Sequence, residues 1–202
     1  MMKRENMKLI YVTGGAKSGK SKFAEDLLLS LNSGKEKNIY LATSKVFDEE
    51  MEMKVLIHKE RRQDKWETIE SYKDFSESLK SAFIEEKSQG ESVFKNNMLV
   101  DCLTNMVSNI IFEDLTIDWE KPTKKQLQSC DRRVEKEVLS LIENLEKFNY
   151  VVIVSNELGM GIVPATPLGR YFREIAGKMN QLIAEKSDDV YFVVSGIPMK
   201  IK

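Results

Sequence analysis

The segment Gly14-Gly15-Ala16-Lys17-Ser18-Gly19-Lys20-Ser21 constrains this chain more than any other. It fits the pattern G-x-x-x-x-G-K-[ST]. An apolar β-type run, Lys8 to Thr13 (KLIYVT), precedes it. A helical pattern follows from Ser21 to Leu31, with Phe23, Ala24, Leu27, Leu28 and Leu31 on one stripe. This is the context the pattern needs. The glycines let the backbone turn so that its N–H groups point at phosphate oxygens, and the helix beginning near Lys20 adds the positive end of its dipole. In such a loop the lysine, here Lys20, reaches the β- and γ-phosphates of a nucleoside triphosphate, and the hydroxyl of Ser21 is placed to ligate Mg²⁺. With average residue usage, on the order of one chain in a hundred of this length would match by chance, and the flanking strand and helix sharpen the signal further. The segment implies a nucleotide-dependent phosphotransferase without naming its acceptor.

The rest of the chain repeats the alternation. Strands are expected at Asn38 to Ala42, Trp66 to Glu70, Asn97 to Asp101, Tyr150 to Ser155 and Val190 to Ser195. Helices are expected at Asp48 to Arg62, Tyr72 to Lys87, Leu103 to Phe112, Lys124 to Phe148 and Leu168 to Lys186. Strands separated by helices imply βαβ units, and continuous β-branched runs imply strands covered on both faces. The expectation is therefore an α/β chain with a mostly parallel sheet and helices on both faces, forming a single domain over residues 1–202. The acidic stretch Glu113 to Pro122 reads as a surface insertion.

Composition excludes several partners. Lys and Arg number 31 and Asp and Glu 32, so the formal net charge is −1. Nucleic acid and anionic membranes usually demand a basic footprint, which is missing. No apolar run approaches a membrane span, and the N-terminus lacks the features of a signal peptide. A soluble, cytoplasmic protein is expected. Cys102 and Cys130 lie far apart and suit reduced thiols better than a disulfide framework or a zinc site.

Three further segments are candidates for chemistry. Asp101 ends the apolar strand NMLVD, where a carboxylate either holds Mg²⁺ through water or caps the following helix. His58 is the only histidine. Helical spacing puts it on one face with Met51, Val55 and Arg62, among Lys54, Lys59 and Arg61. It reads either as a nucleophile or base kept neutral by neighbouring cations or as an incidental member of a solvated charged helix. The loop Ser155 to Pro164, with Asn156 and Glu157, follows a buried strand at the end of the sheet where ligands bind in open α/β folds. Downstream, Gly177 inside a helix suggests a close backbone contact. Asn180 and Gln181 are polar in a packed stretch, reading as functional, capping or water-facing.

Taken together, five blocks resemble the bifunctional adenosylcobinamide kinase/adenosylcobinamide-phosphate guanylyltransferase family of cobalamin biosynthesis. They are TGGAKSGKS, YLATS, DEEMEMKVLIHKERR with WETIE downstream, LVDCLTNMVSN, and VSNELGMGIVPATPLGRYFREIAGKMNQLIAE ending in VVSGIPMKIK. The resemblance runs from about Met7 to Lys202, and the last block is its most specific part. It implies a P-loop NTPase-like fold of the recombinase type and a two-step chemistry. A nucleoside triphosphate, GTP or alternatively ATP, phosphorylates adenosylcobinamide. GTP then gives GMP to that phosphate through a guanylyl-histidine, yielding adenosylcobinamide-GDP. The resemblance makes His58 the guanylylated residue and Lys20 its catalytic companion. It assigns Gly14, Gly15, Ala16, Lys17, Ser18, Gly19, Lys20 and Ser21 to the phosphates, and Thr43, Ser44, Lys59, Glu60, Arg61, Arg62, Glu70 and Asp101 to the nucleotide. Ser21 and Asp101 are then the Mg²⁺ positions, and a homotrimer is the implied assembly. The family commonly reads R-R-P after the histidine, whereas Gln63 follows Arg62 here. That change loosens a turn and removes no chemical group. The competing readings are a small-molecule kinase without histidine chemistry and a nucleotide-binding switch.

Overall fold

The computed structural model describes residues 7–34, 36–45, 65–83, 86–88, 91–93 and 96–202. Strand β1 (Lys8–Gly14) leads through the phosphate-loop segment into helix α1 (Lys20–Leu31). Then come β2 (Asn38–Ala42), β3 (Glu67–Glu70), the short helix α2 (Phe75–Ser78), and the strands β4 (Glu86–Ser88) and β5 (Glu91–Val93). Next are β6 (Asn97–Asp101), α3 (Leu103–Phe112), α4 (Lys124–Leu145), β7 (Tyr150–Asn156), α5 (Pro167–Lys186), β8 (Asp189–Val194) and β9 (Ile197–Lys200).

Among the described residues, seven strands form one sheet in the order β3-β2-β6-β7-β1-β8-β9, and β4 and β5 form a separate antiparallel pair. Every pairing in the large sheet is parallel except β8 with β9. Alternation along β1 shows why both faces must be covered. Leu9 and Tyr11 enter the larger core with residues of α3, α4 and α5, while Ile10 and Val12 enter a second core with Ala24 and Leu28 of α1. A strand buried on both faces needs a continuous apolar run, which KLIYVT supplies. Helix α4 begins on a capping box, with the Thr123 hydroxyl accepting from the Gln126 N–H and the Gln126 side chain accepting from the Thr123 N–H. Helix α5 begins on Thr166, whose hydroxyl accepts from Gly169 N–H, with proline at its first turn.

Three expectations need correction. The span Tyr72 to Lys87 is not one helix: its described residues hold α2 and a 3₁₀ turn at Lys80–Ala82, and then the start of β4. The apolar spacing was real, since Phe75, Leu79 and Ala82 are all buried. The helix stops because Phe83 turns extended, and Asn96 Nδ2 donates to the Ala82 carbonyl at 2.6 Å in place of a further helical N–H. The chain also does not end in β8, because Ser195 and Gly196 (φ 51° and 83°) return it as the edge strand β9. The stretch from Glu113 to Pro122 is irregular and mostly exposed, as a surface insertion should be, and it is anchored: Ile117 is buried, Trp119 lies 5.4 Å from the Tyr171 ring, and Asp114 pairs with Arg133. Finally, a Cβ at Gly177 would meet nothing within 4 Å, so no close backbone contact accounts for that glycine. The helix expected at Asp48 to Arg62 lies outside the described residues. Cys102 and Cys130 are buried free thiols.

Candidate active site

The carboxyl end of β1 is where the sheet changes direction. From β1 the chain crosses to β2 on one side, and later passes from β7 to β8 over the other. Crevices at such points are where open α/β sheets take their ligands. The phosphate-loop segment occupies this one. Its turn uses Lys17 at φ 59° and Gly19 at φ 92°. Ser18 N–H donates to the Gly15 carbonyl at 3.2 Å, and Phe23 N–H donates to the Gly19 carbonyl at 3.0 Å, starting α1. The β8–β9 turn braces the loop from outside, with Gly196 N–H donating to the Ser18 carbonyl at 2.7 Å. Gly14 and Gly19 are required by space. A Cβ on Gly14 would lie 2.4 Å from the Val193 carbonyl oxygen, and one on Gly19 would lie 3.1 Å from Gly196 Cα.

Lys20 is 8% exposed, and its ammonium donates to the Gly15 carbonyl at 3.0 Å, curled over the loop. Burial pushes its pKa down, while Cys102 and Asp101 are near enough to pull it the other way. A desolvated ammonium with no ion pair among the described residues is a strong site for phosphate.

Asp101 ends β6, one strand beyond β7 from the loop. The residue that caps α3 is Cys102, with no side-chain cap bond, so the capping alternative for Asp101 falls away. Its Oδ2 accepts instead from Tyr40 Oη at 2.7 Å. Thr43 is 1% exposed and its hydroxyl is committed: it donates to the Cys102 carbonyl at 2.7 Å and accepts from Cys102 N–H at 2.8 Å. Ser44 Oγ accepts from Asn105 Nδ2 at 2.5 Å, and Asn109 Nδ2 donates to the Thr43 carbonyl at 2.7 Å. Glu70 ends β3 opposite Ala42 and lines a cleft of about 530 Å³ with Ser44, Lys45, Tyr72 and Lys73. A second cleft, of about 340 Å³, lies against residues Gly15 to Ser18 and is walled by Glu157, Met160 and the end of β8.

The strand ends are locked by a polar belt that joins Asn156 and Asn180, both singled out in the sequence, to partners the sequence did not indicate. Ser155 Oγ donates to Asn180 Oδ1 at 2.7 Å, Asn180 Nδ2 donates to the Asn156 carbonyl at 3.1 Å, and Asn156 Nδ2 donates to Thr104 Oγ1 at 2.8 Å. Thr104 Oγ1 in turn lies 3.0 Å from Cys102 Sγ. Asn180 therefore neither caps nor faces water, whereas Gln181 is exposed. Glu157 N–H donates to the Gly14 carbonyl at 3.0 Å, tying the end of β7 to the loop. Tyr40, Thr104, Asn105 and Asn109 gave no sequence signal, because each is an ordinary residue of its strand or helix. The structure thus brings Gly14 to Ser21 together with Asp101, with Thr43 and Ser44 beside Asp101 and Glu70 further out along the same edge. His58, Lys59, Glu60, Arg61 and Arg62 lie outside the described residues.

The donors near the loop are oxygens. Among the described residues no group of three or more His, Cys, Asp or Glu could hold a metal. One hydroxyl at Ser21 and one carboxylate at Asp101 fit Mg²⁺, which takes few protein ligands and completes its shell with water and substrate phosphates.

Fold and site together define a phosphate-loop α/β protein of the P-loop NTPase type, with the loop strand and the acidic strand separated by one other. The family of cobinamide kinase / cobinamide phosphate guanyltransferase matches residues 10–201. The chain belongs to that family. It is 37% identical over 195 residues to the bifunctional adenosylcobalamin biosynthesis protein CobU of Escherichia coli K12, covering 96% of this chain and 99% of that one. It is 36% identical to the protein of the same description from Salmonella typhimurium, covering 96% and 99%. It is 34% identical to the bifunctional adenosylcobalamin biosynthesis protein CobP of Pseudomonas aeruginosa, with 95% of each chain covered. Among solved structures, a KaiC-like protein from Pyrococcus horikoshii is similar at a TM-score of 0.45 and 13% identity, covering 93% of this chain and 71% of that one.

Proposed function

We propose that this chain, as a single domain, carries out both reactions for which its family is named. The kinase step moves the terminal phosphoryl group of ATP or GTP to the hydroxyl of adenosylcobinamide. The guanylyltransferase step moves GMP from GTP to the new phosphate and gives adenosylcobinamide-GDP. The observation that carries this reading is the braced phosphate loop with Lys20 buried over it, one strand from Asp101.

Phosphoryl transfer is mainly positioning and charge neutralisation. Lys20 and the N–H groups of residues 14 to 21 hold the β- and γ-phosphates. Ser21 and Asp101 would hold Mg²⁺, which when bound neutralises charge on those phosphates. The second step attacks a different phosphorus. An imidazole nitrogen of His58 forms a bond to the α-phosphorus of GTP as the bond to the β-phosphate oxygen breaks, releasing pyrophosphate. A phosphate oxygen of the corrinoid then displaces the histidine nitrogen. The same loop serves both steps, because the β- and γ-phosphates it grips in the first become the leaving pyrophosphate in the second. Glu70, Ser44 and the stretch Lys59 to Arg62 are assigned to the nucleotide.

Labelling with α-³²P-GTP, quenched in denaturant, tests the histidine route. Acid-labile, alkali-stable label is expected on wild type and on no His58→Ala protein, while Lys20→Met impairs both steps. Absence of label on wild type with GTP binding intact would leave a kinase alone. We also place the protein in the cytoplasm. Among the described residues no helix is long and apolar enough to cross a membrane. Self-association is supported by the exposed apolar side chains Val194, Ile197, Met199 and Ile201 along the β8–β9 edge, and the homotrimer is the assembly that the family resemblance implies. A sedimentation mass of one chain would remove that assignment.

A further inference from the structure

We propose that Tyr40 and Thr43 of β2 are positioning residues that clamp Asp101 and set which of its carboxylate oxygens faces the metal–nucleotide complex. The inference rests on the reading of Asp101 as a Mg²⁺ position.

Thr43 fixes the backbone. Its N–H donates to the Asp101 carbonyl at 3.2 Å, and its hydroxyl bonds both the N–H and the carbonyl of Cys102. Both backbone polar groups of Cys102, the residue after β6, are thereby bonded by one buried side chain, and the only proton of the Thr43 hydroxyl is already committed. Tyr40 fixes the side chain. It is 4% exposed, and its ring packs edge-on to Trp66 at 6.0 Å, so the phenol cannot follow a moving partner. Its hydroxyl holds Asp101 Oδ2 at 2.7 Å. The second oxygen, Oδ1, is the one that this bond leaves for another partner.

The need for such a clamp comes from Lys20. That ammonium is close enough to Asp101 for the two charges to interact. A carboxylate free to rotate would compete with phosphate for Lys20 and withdraw from the metal. Holding one oxygen to a rigid phenol removes that choice, as outer hydrogen-bond partners do for metal-bound carboxylates elsewhere.

The test is Mn²⁺ binding, followed by electron paramagnetic resonance with a non-hydrolysable imido analogue of GTP present. Wild type, Tyr40→Phe, Asp101→Asn and the double variant are compared. Tyr40→Phe keeps the ring and is expected to weaken Mn²⁺ binding roughly tenfold, with metal-free nucleotide binding unchanged. The Mg²⁺ concentration for half-maximal kinase rate rises in parallel, and the rate at saturating Mg²⁺ stays near wild type. Because Tyr40 acts through Asp101, the double variant should bind no more weakly than Asp101→Asn alone. Thr43→Ser, which keeps the hydroxyl, should bind Mn²⁺ more tightly than Thr43→Val, which loses both bonds to Cys102. Wild-type Mn²⁺ affinity in Tyr40→Phe alongside a loss in Asp101→Asn would overturn the clamp and leave the Asp101 assignment standing. Wild-type affinity in Asp101→Asn would remove the assignment itself and the clamp with it. Additive losses in the double variant would make Tyr40 a packing residue only.

Discussion

Two adjacent glycines of the phosphate loop should respond oppositely to the same small change. A methyl on Gly14 would lie 2.4 Å from the backbone oxygen of Val193 and 2.7 Å from Ser18 Oγ. The serine could rotate, but the carbonyl cannot. Gly14 lies in register with Val193 in a parallel pairing, and the β8–β9 turn is tied back to the Ser18 carbonyl at 2.7 Å. Restoring an ordinary contact needs a shift of about 1 Å. Overpacking of this kind costs about 1–3 kcal/mol, or roughly 3–10 °C of melting temperature for a chain of this size. The displaced strand end carries the phosphate-binding turn, and a misplacement of about 1 Å lowers the rate of a positioned reaction on the order of a hundredfold. A methyl on Gly15 meets nothing within 4 Å. Gly15→Ala should therefore keep the wild-type melting temperature or raise it slightly. Scanning calorimetry and a coupled kinase assay on both variants decide the matter. Equal stability in the two proteins, or a fully active Gly14→Ala, would refute the steric argument. A stable Gly15→Ala that fails to bind nucleotide would instead mean that phosphate occupies the open space in front of it.

Gly177→Ala should stabilise the chain by about 0.5–1 kcal/mol, since the helix gains propensity and the methyl enters open space. A lower melting temperature would mean that another subunit's backbone approaches there. Asp189 governs part of the acid limb. Hydrogen bonds from Lys200 and Lys8 hold its carboxyl below the usual range against the opposing effect of burial. Its folded pKa lies below its unfolded one, so the stabilisation is complete above about pH 4 and is lost as pH falls through the folded value. Urea midpoints at pH 7 and pH 3 should therefore differ less in Asp189→Asn than in wild type.

The elements that were legible in the sequence are those whose partners are dictated by pattern alone. A run such as KLIYVT must be covered on both faces, and a G-x-x-x-x-G-K-[ST] loop between strand and helix is a signature of phosphate binding. The amphipathic stretch from Tyr72 failed as a long helix because helical spacing fixes which residues are buried without fixing how many turns carry them. Two short turns bury Phe75, Leu79 and Ala82 as well as one long helix would. Strand β9 was hidden behind Ser195-Gly196, a dipeptide whose positive φ at both positions makes a tight hairpin turn. Its residues alternate no polar face, since all four strand positions are exposed. The role of Asp101 was legible only as a pair of alternatives, and the backbone geometry of Cys102 as the cap removed one of them.

The polar belt marks where sequence reading must stop for a physical reason. A buried polar side chain is tolerated only when its partners are present, and those partners come from distant segments. Asn180 serves Asn156 and Ser155 across 24 and 25 residues, and Thr43 serves Cys102 across 59. No window of sequence contains both ends of such a bond. Yet these bonds join β7 to α3 and α5, and β2 to β6, at the edge where phosphate transfer must be geometrically exact to within about an ångström. An apolar belt of the same volume would pack as tightly without fixing direction. Hydrogen bonds fix direction, and under the proposed function one site addresses the terminal phosphorus in one step and the α-phosphorus in the next, which depends on positioning.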